Sequence, residues 1–385
     1  MFDFLIVGAG LFGATCARLL TDAGRSVKVI ERRATIGGNC FDERVEIASV
    51  ADDEYIGAPR NDSIVVNRYG GHIFHTSSRE IWEFVNRFSE FILYEHRVKA
   101  KVGEKVYSFP VNLMTLQEIY GARSPEEAER LLRSARNDKM DARLYAMFFE
   151  GYSRKQWGEN TPAGAVERIP VRLTWDDRYY SDQYQGMPEE GYTAMIGRML
   201  DGIPVACDVD YLKDRNDWNG TARQVIYSGS IDALFGYDEG VLPWRSLRWG
   251  NKLEDSDFQG CATVNYCDGD VPFTRILEWQ HYGHRSRAGK TLITYEYPEV
   301  YEPGVNEPMY PVRSEASESL YESYLKRIPE NIWIGGRLGS YRYLDMDDTI
   351  GQAMEMAREI ASVAALPRND REGAARNDRG NDGQE

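Results

Sequence analysis

The sequence predicts an α/β protein in which a parallel-sheet domain is combined with a helical insertion domain and an antiparallel β-sheet domain. The prediction depends on a strand, glycine turn, helix and second strand at the N-terminus, on capped helices in the next part, and on β-branched and aromatic runs in the second half. The chain has 385 residues, of which 42% are hydrophobic. This composition is sufficient for a large buried core shared by two or three substructures.

The first elements form a βαβ unit. The apolar run Phe4–Val7 predicts a strand, and Leu11–Ala23 has the spacing of a helix that ends at Gly24. A second apolar run, Val27–Ile30, ends at Glu31. This order predicts two parallel strands that are joined by a right-handed crossover.

Helix caps and β-rich runs define the remaining domains. Ser77 with Glu80, and Ser124 with Glu127, are capping-box patterns, and they predict a mostly helical insertion. Residues 331–334 predict a last strand, and a helix begins after Asp347 and Asp348. Strands are also predicted at 224–228, 262–266 and 292–295. The predicted domains are a nucleotide-binding domain (1–76 with 187–240 and 327–366), a helical domain (77–165), an antiparallel sheet domain (166–186 with 241–326) and a disordered tail (367–385).

The charge of the chain disfavours polyanionic partners. Lysine and arginine total 46 against 61 aspartate and glutamate residues, a formal net charge of −15. We therefore expect no binding to nucleic acid or to an anionic membrane, and a phosphate-ester substrate would need local arginines. The scattered cysteines and the absence of an apolar run of about 18 residues indicate a reduced, cytoplasmic protein.

A glycine motif predicts a dinucleotide site. Gly8, Gly10 and Gly13 follow the first strand and open the helix, and Glu31 ends the second strand. The glycines allow a tight turn, close approach of a pyrophosphate and helix packing, and the acidic residue can accept hydrogen bonds from a ribose. The Rossmann-like pattern fits both NAD and FAD.

Two further glycine pairs favour FAD. Residues 36–39 (Ile-Gly-Gly-Asn) resemble the amine-oxidase-like branch of FAD proteins. Residues 335–337 (Gly-Gly-Arg) end a strand before a helix, whose N-terminus would stabilise negative charge on a reduced flavin. Histidines 72 and 75 bracket Ile-Phe; they could share a metal, but no third ligand cluster is near, and core histidines are the alternative. We predict no metal.

The motifs together resemble the bacterial UDP-galactopyranose mutase family. They occur in the family order over nearly the whole chain: GAGLFG at 8–13, IGGN at 36–39, GGHIFHT at 70–76, GYSRKQWG at 151–158, RIPVR at 168–172, and GGR at 335–337 followed by Tyr343 and Asp345. The resemblance implies an isomerase that interconverts UDP-galactopyranose and UDP-galactofuranose for cell-wall polysaccharide. In that family reduced FAD forms a covalent flavin N5–sugar iminium intermediate. It also implies a mobile substrate loop in the helical domain, NAD(P)H or another reductant, and a homodimer.

The resemblance assigns roles to individual residues. The catalytic set is His72, Arg168 and Arg275. The substrate set is Phe148, Tyr152, Trp157, Arg172, Tyr179, Asn265, Tyr310, Tyr343 and Asp345. The FAD set is Gly8, Gly10, Phe12, Gly13, Glu31, Arg32, Gly38, Asn39, His72, Arg337, Tyr343 and Asp345.

Some features depart from the family pattern or leave alternatives open. The acidic stretch Val45–Ser63 is an extra segment, which we expect to be a surface loop. The interval after Trp157 is short, so Arg172 competes with Arg168 as the loop arginine. His75 resembles the galactose-type members, yet an N-acetylated UDP-sugar stays an alternative substrate. An amine-oxidase-like flavin oxidase and a non-catalytic dinucleotide-binding module are the alternative functions.

Overall fold

The computed structural model describes residues 1–46, 63–134, 142–158, 171–255, 257–283 and 290–365. The strands are β1 (Phe2–Val7), β2 (Val27–Ile30), β3 (Asp42–Glu46), β4 (Ser63–Asn67), β5 (Phe74–Thr76), β6 (Phe91–Leu93), β7 (Val98–Val102), β8 (Lys105–Phe109), β9 (Tyr184–Pro188), β10 (Val205–Ala206), β11 (Ala222–Tyr227), β12 (Trp244–Asp255), β13 (Thr263–Tyr266), β14 (Arg275–Glu278), β15 (Lys290–Val300), β16 (Tyr310–Pro311) and β17 (Ile332–Ile334). The helices are α1 (Leu11–Asp22), α2 (Arg79–Val85), α3 (Leu113–Tyr120), α4 (Pro125–Ser134), α5 (Ala142–Tyr145), α6 (Gly151–Trp157), α7 (Tyr192–Met199), α8 (Arg215–Asn219), α9 (Ile231–Leu234), α10 (Glu315–Leu325), α11 (Gly336–Gly339) and α12 (Met346–Ala365). A π-helical turn, Ala146–Glu150, joins α5 to α6, and short 3₁₀ turns occur at Gly38–Cys40 and Trp279–His281.

The predicted parallel sheet is confirmed, with the strand order β10-β2-β1-β11-β17. At its carboxyl edge Val7 is level with Ile30 on one side and with Tyr227 on the other. Helix α1 packs against α7 and α12, and its apolar face is buried together with side chains such as Ile6 and Val29. The end of each central strand therefore opens onto one crevice, where α/β proteins bind their ligands.

The second sheet is mixed, whereas we predicted an antiparallel one. Its order is β16-β12-β15-β14-β13-β7-β8, and its neighbours are antiparallel except for the parallel pair β13 and β7. The parallel pair arises because the hairpin β7–β8, which belongs to the predicted insertion, joins the edge of the sheet. In this sheet Arg275 of β14 lies between Asn265 of β13 and Glu296 of β15.

The predicted helical domain, residues 77–165, is not wholly helical. Val98, Ala100 and Val102 alternate with lysines, and Gly103, with φ of 57°, makes the turn into β8. This period of two is typical of a strand, and the prediction overlooked it. The predicted boundary between residues 186 and 187 divides β9, which pairs with β5 and β6 in a separate small sheet.

The helix predictions are correct in type and shifted at one cap. Ser78, not Ser77, caps α2 by accepting a hydrogen bond from the Ile81 N–H. Ser124 accepts from the Glu127 N–H at the start of α4, as predicted. In the described part of the chain, none of the helices has both the length and the apolar character required to cross a membrane.

The extra acidic segment begins and ends in strands instead of forming only a surface loop. Val45 is buried in β3, and Ser63 begins the antiparallel partner β4. Residues 47–62 lie outside the described part, and so does the predicted tail.

Candidate functional site

A cleft of about 480 Å³ lies at the carboxyl edge of the parallel sheet. Residues that directly follow β1, β2 and β11 line it, including Gly8, Glu31 and Ser228. Strand β17 leads into Gly336 and Arg337, which close the other side. Ten of the twelve predicted FAD residues therefore surround one continuous space, whereas Tyr343 and Asp345 are not among its lining residues.

The glycines of the motif are required by close backbone contacts. A Cβ atom on Gly13 would lie 2.0 Å from the carbonyl oxygen of Gly8, so α1 starts in contact with the turn. Gly38 has φ of 56°, and a Cβ there would lie 2.8 Å from the Gly10 Cα. The two glycine turns thus meet backbone to backbone, and they leave a shallow cradle for an anionic group at the start of α1.

Glu31 is fixed by the two turns that it joins. Its Oε2 accepts a hydrogen bond from the Ala9 N–H at 2.8 Å, and its Oε1 accepts one from the Arg33 N–H at 2.8 Å. Each carboxylate oxygen keeps a further lone pair for a ligand hydroxyl. Of the neighbouring predicted residues, Arg32 is paired with Glu307, and Asn39 accepts a hydrogen bond from Arg33.

His72 lines the cleft as a neutral imidazole. Its Nδ1 lies 2.7 Å from the carbonyl oxygen of Gly70, which can only accept, so Nδ1 carries the proton and Nε2 is an acceptor. Burial, helped by the nearby charge of Arg337, lowers the pKa of His72 to about 4. Its backbone is also held, since its N–H donates to Asn67 and its carbonyl accepts from Tyr192.

Phe12 and Arg337 line the cleft at the side formed by the end of β17. The Phe12 ring fills the space where Gly335 has no side chain, because a Cβ there would lie 2.2 Å from Cζ. Arg337 donates to the carbonyl oxygen of Leu344 at 2.6 Å, and its guanidinium carbon lies 4.7 Å from the centre of the Tyr343 ring. Tyr343 is 53% exposed, so its hydroxyl is available to a ligand.

Arg275 and four tyrosines form the second part of the site, called here the tyrosine cluster. Its members are Arg275 of β14, Tyr152 of α6, Tyr310 of β16, and Tyr179 and Tyr343 of two loops. Tyr310 stacks on Tyr343 with a centroid distance of 5.8 Å, and Trp157 contacts Tyr310 edge-on at 6.5 Å. Burial raises the pKa of Tyr152 and Tyr310, so both phenols stay protonated at neutral pH.

The sequence prediction missed the partner of Arg275. The Arg275 Nε lies 2.9 Å from Oε1 of Glu296, whose side chain is 2% exposed. Burial raises the pKa of Glu296, and Arg275 opposes that shift. The available signal was a single acidic residue within the aromatic and β-branched run 294–297, at a ladder position opposite Arg275.

Asn265 provides an unsatisfied acceptor beside Arg275. It is 8% exposed, and its Oδ1 has no hydrogen-bond partner among the described residues. A buried polar atom of this kind is normally paired in a working protein. The atom therefore fits a site that is completed by a donor of the ligand.

The remaining predicted residues are placed differently or lie outside the description. Phe148 is 1% exposed and packs on Tyr107, so it offers almost no surface to a ligand in this conformation. Arg172 donates to the carbonyl oxygens of Arg178 and Tyr179, which fixes the chain next to Tyr179. Arg168 lies outside the described residues. Asp345 is half-buried, and its charge reaches the phenol of Tyr343.

A histidine and tyrosine group behind the cluster was not predicted as a unit. The His75 ring stacks on Tyr180 with centroids 3.7 Å apart, and its Nδ1 lies 2.8 Å from Asp182. His96 lies next to this stack, and burial, with the charge of Arg275, lowers its pKa to about 3. These side chains form a wall beneath the tyrosine cluster.

One group with the composition of a metal site lies outside the residues that line the cleft. Ligand atoms of Asp257, Glu278 and His281 lie within 4.8 Å of one another. The oxygens of Glu278 accept hydrogen bonds from the backbone of Phe258 and Gln259. The carboxylate thus has a structural role in this turn.

Comparisons with known proteins cover nearly the whole chain. A family model described as UDP-galactopyranose mutase matches residues 147–343, and one described as an NAD(P)-binding Rossmann-like domain matches residues 6–88. A probable UDP-galactopyranose mutase of Klebsiella pneumoniae is 37% identical, covering 94% of this chain and 96% of that protein. A dTDP-fucopyranose mutase of Escherichia coli is 36% identical, covering 93% and 98%. A crystal structure of reduced UDP-galactopyranose mutase has the same fold, with a TM-score of 0.67 over 98% of both chains at 15% identity.

Proposed function

The chain belongs to the UDP-galactopyranose mutase family, and from this premise we propose that it is an isomerase that interconverts UDP-galactopyranose and UDP-galactofuranose. The observation that carries the proposal is the tyrosine cluster, in which a half-buried arginine and protonated phenols lie beside a dinucleotide cleft. An amine-oxidase-like reaction does not need such a cluster, and the family match does not support it.

We propose FAD as the resident cofactor of the Rossmann-like domain. The glycine cradle at Gly10 and Gly38, the Glu31 carboxylate and the neutral His72 ring fit a dinucleotide that extends along the cleft. Reduced FAD, when bound, would supply the nucleophile for the anomeric carbon of the sugar. Arg337 would lie at the flavin end, together with Tyr343 and Asp345.

The residues of the tyrosine cluster would hold the diphosphate as it leaves and returns. Arg275 supplies positive charge in a chain of net charge −15, and Arg168, which lies outside the described residues, is proposed to add a second guanidinium. The phenols of Tyr179, Tyr310 and Tyr343 donate without adding charge, so the diphosphate is bound but not immobilised.

The nucleoside would lie next to the cluster. We propose that Tyr152 stacks on the uracil with Phe148 behind it, that Trp157 borders the sugar, and that a donor of the uridine satisfies the buried oxygen of Asn265. His72 would accept or return a proton through Nε2, because its Nδ1 proton is held by Gly70.

A dTDP-linked 6-deoxy sugar is a second candidate substrate. The dTDP-fucopyranose mutase relative is 36% identical, against 37% for the galactose-type relative, so overall identity does not separate the two. An N-acetylated UDP-sugar is a third possibility.

The test is turnover in the two redox states of the same holoenzyme preparation. UDP-galactofuranose is supplied to protein that is oxidised or reduced by dithionite, and the pyranose product is quantified by chromatography. We expect conversion only after reduction, and equal rates in both states, or no conversion in either, would contradict the proposal. Parallel reactions with dTDP-fucofuranose and an N-acetylated UDP-sugar rank the substrates. Replacing dithionite with NAD(P)H tests the proposed reductant, and light scattering tests the proposed homodimer.

A further inference from the structure

Lys155, in the GYSRKQWG segment, has an unusual set of acceptors. Its Nζ donates to the carbonyl oxygens of Tyr266, Asp268 and Phe273 at 2.7, 2.9 and 3.0 Å. All of these carbonyls belong to the connection between β13 and β14 or to its edge. An ammonium group has three N–H donors, so the loop uses every one of them.

This geometry excludes Lys155 from binding the diphosphate directly. A lysine that lies between Tyr152 and Trp157 would otherwise be the natural candidate for a phosphate contact. To donate to a phosphate it would have to release one of these partly buried carbonyls, which would lose its ammonium donor. Lys155 therefore acts through the β13–β14 hairpin, whose connection it holds.

The start of the same helix contacts the same loop. Gly151 lies one helical turn before Lys155, and a Cβ there would lie 2.4 Å from the Cys267 carbonyl oxygen and 2.8 Å from the Gly269 nitrogen. Helix α6 is thus attached to the loop twice, by close packing and by the ammonium group. The end of α6 is held as well, because Arg245 donates to the Gln156 carbonyl oxygen at 2.7 Å.

The attached elements carry the two halves of the nucleotide site. Helix α6 carries Tyr152 and Trp157, whereas the strands that flank the loop carry Asn265 and Arg275. We propose that Lys155 is a positioning residue, which sets the distance between the aromatic residues of α6 and Arg275 and thereby determines the affinity for the nucleoside diphosphate. This inference rests on the proposed function, because it concerns the same site.

The first variant is Lys155→Met, which keeps the length and removes the donors. We expect its dissociation constant for UDP, and its KM for UDP-galactofuranose, to rise by about 10- to 100-fold, while cofactor content and kcat change by less than about threefold. The matched control is Arg154→Met, because Arg154 is the preceding basic residue on α6, is exposed and pairs with Glu150, one helical turn away. Its UDP affinity should be unchanged.

A second variant and a double mutant separate positioning from other roles. Gly151→Ala keeps Lys155 but pushes α6 away from the loop, so its UDP affinity should also fall. In an Arg275→Ala background, Lys155→Met should weaken UDP binding less than it does alone, because the residue that it positions is gone. Hydrogen exchange of residues 267–274 should become faster in Lys155→Met, while α1 stays protected.

Three results would overturn the inference. The first is wild-type UDP affinity in folded Lys155→Met, and the second, if Lys155→Met does not fold, is wild-type UDP affinity in Gly151→Ala. The third is full additivity of Lys155→Met and Arg275→Ala, because additivity would indicate that Lys155 contacts the ligand directly. If the wild-type holoenzyme itself neither binds UDP nor converts the sugar, the proposed function fails instead. Unchanged exchange of residues 267–274 would then still decide against Lys155 as the residue that holds the hairpin.

Discussion

The cofactor cleft and the tyrosine cluster are neighbours that are built in opposite ways. The cleft is made of backbone: glycine turns that touch, the first turn of α1 and one carboxylate that accepts from main-chain amides. The cluster is made of side chains, which come from a helix, two loops and two strands far apart in the sequence. A backbone site tolerates little substitution at its glycines, whereas a side-chain site can be altered one donor at a time. The two parts should therefore fail separately, and the cofactor should be lost only through the first.

The largest effect is expected at Gly13 in the cleft. In Gly13→Val the new Cβ would lie 2.0 Å from the carbonyl oxygen of Gly8. The start of α1 must therefore move away from the turn. We expect the affinity for FAD to fall by at least about 100-fold, equivalent to about 2.8 kcal/mol. The measurement is the flavin absorbance per protein after gel filtration.

The control for Gly13 is the glycine at the other end of the same helix. Gly24 has φ of 77° and open space around it, so Gly24→Ala adds backbone strain of about 1 to 2 kcal/mol without a clash near the cleft. It should lower the melting temperature but keep the flavin. Equal loss of flavin in both variants would show that general destabilisation, and not the cradle, explains the result.

Arg275 gives the next largest effect, now without loss of the cofactor. Arg275→Ala removes a charged donor from the tyrosine cluster, and we expect UDP to bind about 10- to 100-fold more weakly while FAD content stays at the wild-type level. Isothermal titration with UDP measures the change. Arg248→Ala is the matched control, because Arg248 lies on β12 of the same sheet, separated from β14 by β15, is exposed and pairs with Glu299. If Arg275→Ala lost flavin in proportion to UDP affinity, the two regions would not be independent.

The same contrast explains how much the sequence could reveal. The cleft was predictable because its glycines and Glu31 are close in sequence, and local steric rules require them. The pairing of Arg275 with Glu296 was not predictable. These residues are 21 positions apart in the chain, and they meet only because of the register between β14 and β15. The cap of α2 was assigned to Ser77 instead of Ser78 for a related reason. A shift of one residue changes which serine accepts the capping hydrogen bond but hardly changes the sequence pattern.

The smallest effect concerns the histidines of the two regions. Burial lowers the pKa of His72 in the cleft to about 4 and that of His96 beneath the cluster to about 3. An unfolded histidine titrates near pH 6.5, so below that pH the unfolded state binds more protons than the folded state. Stability is therefore lost as the pH falls from about 6.5 towards about 4, by at most about 1.4 kcal/mol per pH unit for each histidine. Urea unfolding of the holoenzyme at pH values from 4.5 to 7, about the range in which free histidine titrates, measures the slope.

Substituting each histidine assigns the slope to its region. His96→Gln should remove the part of the slope that comes from His96, and His72→Gln the part that comes from His72, since glutamine does not titrate. Carboxylates also titrate in acid, among them Asp42, whose pKa is raised by burial. Their contribution is common to the wild type and both variants, so it cancels when the slopes are compared. If His96→Gln retained the full wild-type slope, His96 would have to accept a proton in the folded state, and the wall beneath the tyrosine cluster would be open to water instead of buried.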